Sequence, residues 1–382
     1  MRILYDHSIF VLQRYGGISR YFAELIPRVA LIPGTEVSAW MGLYINNYKL
    51  PDARHRLARF GGMRRPALRG THRPALAISN WLFRRFARKV DAQIYHATFH
   101  TALMPDFDGK RIITIHDLID ERMHPSGIPS PCPQRQSLLD AADGIICVSA
   151  NTREDLREIY RVDDSKIRVI HHGNSLTAPV HGPRLCREDY ILYVGQRWGY
   201  KNFDLLLEAY AASGISRDFR LVCFGGGTLS SAEHGALQKF GLAGRVDVIS
   251  GPDESLANYY ANATLFVYPS KYEGFGMPLL EAMHYGCPIL AAGNSSIPEV
   301  AGEAAMYFDP AQVDDLCSKL KRLVSDPDAR NALRDAGRQR QAQFTWERCA
   351  RQTLDLYELV FQRPTGNPQP DQPKQDGALC PR

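Results

Sequence analysis

Tyr272-Glu273-Gly274-Phe275-Gly276-Met277-Pro278-Leu279-Leu280-Glu281-Ala282-Met283 is the stretch from which the fold of this chain is read. It follows an apolar run, Ala263 to Tyr268, whose length and composition predict a buried strand closed by Pro269-Ser270. The glycines then make a short loop. Pro278 opens a helix, where its missing N–H would have had no partner anyway. Strand, glycine loop and helix together present free backbone N–H groups to an anion. Glu273 stands before the loop and Glu281 one turn into the helix. A carboxylate beside a phosphate needs another task, and gripping sugar hydroxyls is one it can perform. The stretch therefore predicts one site for a nucleotide's phosphates and a sugar.

Working outward, the same alternation continues on both sides. Tyr190–Val194, Arg220–Phe224, Val246–Ser250, Pro288–Ala292 and Met306–Phe308 read as strands, with helical spacing over Phe203–Ala212 and Leu256–Ala261. Thr177–Glu188 lacks apolar period and reads as a linker. Before it lies a first set of strand-like runs: Ile3–Tyr5, Val37–Leu43, Ala92–His96, Arg111–Ile115, Gly144–Ser149 and Ile167–Ile170. Short apolar strands alternating with helices predict parallel sheets covered on both faces. The expected organisation is α/β: two Rossmann-like domains, residues 1–178 and 179–345, facing across a cleft. A helix over residues 346–362 and a disordered tail over 363–382 follow. Ligands of such sheets gather at the carboxyl ends of strands. Gly16-Gly17 and His116-Asp117 occupy such ends in the first half, and Gly195–Asn202 does in the second.

Within these loops, Arg197 and Lys201 are candidate cations for a diphosphate, with Asn202 placed to cap the helix behind them; ordinary surface charges are the plain alternative. His116 is a candidate sugar-contacting or acid–base group, or simply a polar loop residue. His171 and His172 read as loop or hinge residues. Gly225-Gly226-Gly227 lacks the G-x-G-x-x-G pattern, which argues against dinucleotide binding. No His or carboxylate cluster has metal-ligand spacing, so a metal-independent reaction without a cofactor is expected.

The 382 residues are 45% hydrophobic and 23% charged, with no run long enough to span a bilayer and no secretory signal at the start. The eight cysteines show no C-x-x-C pair, as expected of reduced thiols in a cytoplasmic protein. The net charge of +5 is unevenly spread: Arg54 to Lys89 holds eleven Arg or Lys and no Asp or Glu, interleaved with Leu57, Phe60, Leu68, Trp81, Leu82, Phe83 and Phe86. This segment suits a solvated basic face, an anionic membrane surface or an anionic acceptor. No nucleic-acid module accompanies it, and no nucleic acid is expected as a partner.

The chain resembles family-four retaining glycosyltransferases of GT-B fold, in particular bacterial O-antigen and polysaccharide mannosyltransferases. The likeness covers roughly residues 1–361. It rests on Glu273 through Glu281, on Gly195 to Lys201-Asn202, on Pro269-Ser270, on Pro298-Glu299-Val300-Ala301-Gly302, and on Tyr5-Asp6 with Tyr15-Gly16-Gly17-Ile18-Ser19-Arg20-Tyr21. It implies that Glu281 holds the ribose hydroxyls, and that Glu273 with the backbone of Phe275 and Gly276 holds the donor sugar. The loop through Gly274 and Gly276 into Met277, Pro278 and Leu279, with Arg197 and Lys201, would hold the diphosphate. Gly16-Gly17 would approach that diphosphate from the other domain, and His116 would contact the sugar. The final helix would cross back onto the first domain. Gln196 stands between Gly195 and Arg197, where some relatives place the Arg directly after the Gly. The implied reaction transfers a hexose from a nucleotide diphosphate sugar with retention, by front-face attack assisted by the leaving phosphate. GDP-mannose is the first expectation for the donor, ahead of UDP-glucose or UDP-N-acetylglucosamine. The expected acceptor is a polyprenyl-diphosphate-linked saccharide at the inner face of the cytoplasmic membrane. An epimerase or phosphorylase on this fold, or a non-catalytic nucleotide-sugar-binding protein, are the rival readings.

Overall fold

Every strand of both sheets pairs in parallel, and most of the inner ones are buried on both faces, as their unbroken apolar composition demands. The computed structural model describes residues 1–48, 50–68, 70–99, 104, 106–123 and 134–363. The expected disordered tail and Cys132 and Cys380 therefore fall outside the described residues, apart from Arg363. The first sheet contains β1 (Arg2–Tyr5), β2 (Glu36–Tyr44), β3 (Arg59–Arg64), β4 (Ile94–Ala97), β5 (Lys110–Ile115), β6 (Gly144–Cys147) and β7 (Ile167–Val169). Their spatial order is β3-β2-β1-β4-β5-β6-β7. The second contains β8 (Tyr190–Val194), β9 (Arg220–Phe224), β10 (Val246–Ile249), β11 (Leu265–Tyr268), β12 (Ile289–Ala292) and β13 (Ala305–Phe308), in the order β10-β9-β8-β11-β12-β13. These are two Rossmann-like domains. The basic segment, for which no element was expected, supplies the edge strand β3 and the helix His72–Ala87.

Each sheet reverses direction of growth once. The first does so between β1 and β4, and the second between β8 and β11. At such a switch point the loops leaving the two neighbouring strands part to opposite sides and open a crevice above the carboxyl ends. In the first domain Asp6 closes the floor of that crevice. Its buried carboxylate accepts from Tyr95 Oη at 2.6 Å, and from the backbone N–H of Ser8 and of Thr98 at 3.1 Å each.

The helix Trp346–Gln362 packs in the core of the first domain, not the second. Trp346, Cys349, Ala350, Leu354, Leu356, Tyr357 and Val360 share a cluster with Tyr5, Tyr21, Phe22 and Ile112. Tyr357 Oη lies 2.8 Å from Tyr5 Oη and 2.6 Å from Nδ1 of the buried His96. The two halves are thereby joined twice, once through 177–189 and once through this returning helix.

Candidate functional site

The loops at the second switch point are stitched edge to edge. Lys271 N–H donates to Tyr200 O at 2.7 Å, which sets the loop after β8 beside the loop after β11. Lys201 Nζ then reaches Glu273 Oε1 at 2.6 Å, both side chains largely buried. Burial works against the charge on Lys201, but Glu273 and Tyr200 more than offset it and hold the amine above its ordinary pKa. The loop carrying Glu273 is tied down by hydrogen bonds. Its N–H donates to Ser295 Oγ at 3.0 Å, and Ser296 Oγ donates to the carbonyls of Glu273 at 2.9 Å and Phe275 at 3.1 Å.

Gly276, at φ +100°, turns the chain from this loop into the helix Met277–His284, a backbone conformation that L side chains rarely adopt. Pro278 stands in the first turn. Opposite it, the helix Gly17–Val29 begins, close enough that a Cβ on Gly17 would sit 3.0 Å from Met277 Cε. Neither first turn carries an acidic residue and neither N-cap glycine has a side chain to cap with, although Ser19 N–H of the first helix donates to Gln13 Oε1 at 3.3 Å. Two helix N-termini thus converge from the two domains on one spot, where their dipoles favour a polyanion.

Glu281 is buried one turn farther in. Tyr260 Oη donates to its Oε2 at 3.1 Å, and Arg20, from the first domain, reaches its Oε1 at 3.4 Å and Asp253 at 3.3 Å. Burial raises the Glu281 pKa above its ordinary value, with Arg20 and Tyr260 pulling the other way. Each carboxylate oxygen thus has one donor and keeps further acceptor capacity, the chemistry that paired hydroxyls need.

The first domain closes over the motif loop. A Cβ on Gly274 would overlap the carbonyl oxygen of His116 and stand 2.8 Å from Asp117 Cβ, so only glycine permits this approach. The Gly274 carbonyl accepts from Ser149 Oγ at 2.7 Å and Thr152 Oγ1 at 3.1 Å. Tyr272 Oη donates to Asp155, itself paired with Arg122. Glu299 of the second domain caps the helix Ala150–Ile159 of the first. It accepts from Ala150 N–H at 2.8 Å, Asn151 N–H at 3.1 Å and His171 Nε2 at 2.7 Å. Asp117 sits at this seam, its pKa raised by burial and further by nearby Glu273, against the pull of the Ile119 N–H and Arg135.

Sequence models of two glycosyltransferase groups match the chain one after the other: "Glycosyltransferase Family 4" over residues 15–177 and "Glycosyl transferases group 1" over residues 185–340. The chain belongs to the family 4 glycosyltransferases. It is 30% identical over 236 residues to O-antigen chain mannosyltransferase B of Escherichia coli, a match covering 58% of this chain and 62% of that one. It is 31% identical over 226 residues to the MMP alpha-(1->4)-mannosyltransferase of Mycolicibacterium hassiacum, covering 57% and 54%. The chain thus spans between half and two thirds of the length of these curated relatives. Among solved structures, the sucrose-phosphate synthase of Thermosynechococcus elongatus superposes with a TM-score of 0.76 at 23% identity, over 94% of this chain and 99% of that chain. HepE of Anabaena, solved in complex with UDP and glucose, gives 0.74 at 15%, over 94% and 100%. These likenesses establish the GT-B fold.

The transferase brings together Gly16, Gly17, Lys201, Glu273 through Leu279 and Glu281. Two expected contacts turn out differently. Arg197 is buried and committed to its own domain: Nε to Glu233 Oε1 at 2.6 Å, and its terminal nitrogens to the carbonyls of Gly225 at 2.7 Å, Gly227 at 2.9 Å and Thr228 at 3.2 Å. Its fork of donors is used in holding the glycine loop after β9, which leaves Lys201 as the cation of its loop that reaches Glu273. Asn202 does not cap the helix Phe203–Ser213. It adopts a left-handed φ of 56° and its amide donates to Pro310 O at 2.9 Å. His116 lies in an aromatic box, its ring edge-on to Tyr21 at 5.0 Å and 5.9 Å from His172. His171 and His172 part company. The first joins the inter-domain clamp at Glu299, while the second is buried against Phe275 and Trp346 with its pKa lowered to about 3 by burial. Arg20, Tyr260 and Glu299 escaped the sequence reading as site residues, although Arg20 and Glu299 stand inside quoted motifs; only their partners across the chain reveal them.

Proposed function

We propose that this transferase moves a hexose, mannose from GDP-mannose, onto a hydroxyl of a lipid-linked saccharide in cell-surface polysaccharide assembly, with retention and without a metal ion. The observation that carries the reading is the Lys201–Glu273 pair at the switch point, facing the converging N-termini of the helices Gly17–Val29 and Met277–His284. In this reading the diphosphate lies between the two helix ends beside Lys201, displacing that amine part-way from Glu273. Glu273 and the Phe275 and Gly276 N–H groups take the hexose hydroxyls, and Glu281 takes the ribose. His116 lines the reacting face of the sugar. The bond from the anomeric carbon to the β-phosphate oxygen breaks as the acceptor oxygen approaches on the same face. The acceptor proton passes to the departing phosphate oxygen, whose charge Lys201 and the helix ends stabilise. Closure of the two domains excludes water from this step.

Mannose as the sugar draws support from the two mannosyltransferase relatives, and a lipid-linked polysaccharide acceptor from the O-antigen enzyme among them. UDP-glucose is the second reading, favoured by the UDP and glucose bound to HepE on the same fold. No helix among the described residues is long and apolar enough to cross a membrane. We propose a peripheral place on the cytoplasmic face, where the basic segment Arg54–Lys89 would meet anionic headgroups. The test is a panel of nucleotide sugars followed by thermal shift and by nucleotide release. GDP-mannose should raise the melting temperature most, and release of GDP should require an acceptor. Preference for a UDP-sugar would replace the donor assignment, and binding of every donor without transfer would favour a non-catalytic protein.

A further inference from the structure

The carboxyl edge of the first sheet carries a second basic site, apart from the one described. A cavity of about 440 Å³ is lined by Arg14, Arg64 and Arg65, together with Ile45 and Asn47. The fold builds it from three loops at one sheet edge. Arg14 precedes the Gly16-Gly17 turn after β1, Asn47 follows β2, and Arg64 ends β3. Backbone bonds fix the three together: Asn47 N–H to Arg14 O at 3.1 Å, and Arg65 N–H to Tyr44 O at 2.9 Å. Side chains are set as well. Asn47 Oδ1 accepts from Arg64 at 2.6 Å while its amide donates to Tyr15 Oη at 2.7 Å. Arg65 is anchored by Leu43 O at 3.1 Å and Thr71 Oγ1 at 2.8 Å.

Arg14 and Arg64 are exposed and Arg65 is half-buried, and among the described residues none of the three has a carboxylate partner, unlike Arg20, Arg122, Arg197 and Arg220. Three guanidinium groups on one cavity without a counter-charge repel one another, and an anion with several acceptor oxygens relieves that. Tyr15, Met63 and Leu68, each adjacent in sequence to a cavity residue, are 62%, 64% and 60% exposed. A polyanion pocket with exposed apolar side chains on the same segments matches a phosphate or diphosphate joined to a hydrocarbon chain, better than it matches a free nucleotide.

We propose that Arg14 and Arg64, with the locally anchored Arg65 as a fixed charge beside them, form the subsite for the linkage phosphate of the acceptor, which places the saccharide end of that acceptor toward Gly16-Gly17 and the donor site. The proposal rests on the transferase reading, so its experiment begins with binding alone. Calorimetry with geranyl diphosphate, water-soluble and free of sugar, should give binding to the wild type that Arg14→Gln/Arg64→Gln weakens on the order of 10- to 100-fold. Both residues are exposed, so the fold should survive, and an unchanged GDP-mannose thermal shift reports this. In transfer assays the variant should raise KM for a short-chain lipid-diphosphate saccharide while leaving kcat/KM for the same saccharide without phosphate unchanged. Pelleting with phosphatidylglycerol vesicles separates the sources of phosphate. If pelleting is lost while geranyl diphosphate binding and KM are unchanged, the pocket reads bilayer headgroups and the proposal is overturned. Absence of geranyl diphosphate binding in the wild type overturns it too. Binding that the variant loses, in a protein that transfers no sugar, keeps the pocket and removes the transfer reading instead.

Discussion

Gly274→Ala is a perturbation that acts on closure while leaving each domain intact. Gly274 does not have a left-handed φ, so alanine suits its backbone; the obstacle is the other domain. The added methyl would overlap the His116 carbonyl and stand 2.8 Å from Asp117 Cβ. The overlap with the His116 oxygen is the tighter of the two and sets the displacement: to reach ordinary van der Waals contact the domains must part by about 1.5 Å at this point. That separation stretches the buried hydrogen bonds from Ser149 at 2.7 Å and Thr152 at 3.1 Å to the Gly274 carbonyl. At about 1 kcal/mol each, the closed state loses about 2 kcal/mol, or roughly 30-fold in its population relative to open forms. kcat/KM should fall by about that factor or more. The melting temperature should change little, since no intra-domain contact is disturbed. Steady-state transfer, thermal unfolding and the radius of gyration by solution scattering, with and without nucleotide, measure the three quantities. Wild-type kcat/KM in a folded Gly274→Ala protein, or a compaction on nucleotide binding equal to the wild type's, would refute the reasoning.

Other variants follow from the same geometry. Lys201→Ala should lower kcat about 10²–10³-fold and cost about 3 kcal/mol of stability by leaving Glu273 buried without its cation. Adding Glu273→Gln should restore the melting temperature and not the transfer, and full turnover by either single variant would sink the assignment. Arg20→Gln removes the inter-domain contacts to Glu281 and Asp253 and should weaken nucleotide affinity about tenfold, read by calorimetry with GDP. An unchanged Kd would make Arg20 a bystander. Glu299 is held below the ordinary carboxylate pKa: burial pushes it up, but His171 and the Ala150 and Asn151 N–H groups pull it down further. Its contribution to closure is therefore present above that ordinary value, about 4.5, and is lost as pH falls through the lowered folded value. Scattering below pH 4.5 should show opening in the wild type, and Glu299→Gln should be open and pH-independent; identical profiles would contradict this.

The motif loop was legible because each of its signals is local. The apolar run before it, the glycines and Pro278 all act within a few residues, and β11, the loop and the helix Met277–His284 stand where those signals place them. The two-sheet architecture was legible for the same reason. What escaped the sequence was partnership. Lys201 and Glu273 meet only because β8 and β11 are neighbours in space, and no periodicity states that. Arg197 looked equally available as a cation until the carbonyls of Gly225 to Thr228, three of whose glycines have positive φ, were seen to enclose it. Asn202 has the composition of a helix cap, yet the pull of Pro310 O and the left-handed turn decide its side chain. The segment from Arg54 to Lys89 hid β3 and the helix His72–Ala87 because its charges mask the apolar period; Phe83 and Ala87 are buried while Trp81 is 60% exposed. Glu299 was quoted for its likeness alone, and its work as a cap across domains depends on a helix that lies 149 residues earlier.

The central claim is that the Lys201–Glu273–Glu281 site holds a nucleotide sugar and passes its hexose on with retention. Proton NMR of the product formed from GDP-mannose and a lipid-diphosphate saccharide tests it directly. The account predicts a new α-mannosidic anomeric signal, formed with stoichiometric GDP and absent with Glu273→Ala. A β-linked product, or an α-linked one formed equally well by Glu273→Ala, would contradict it.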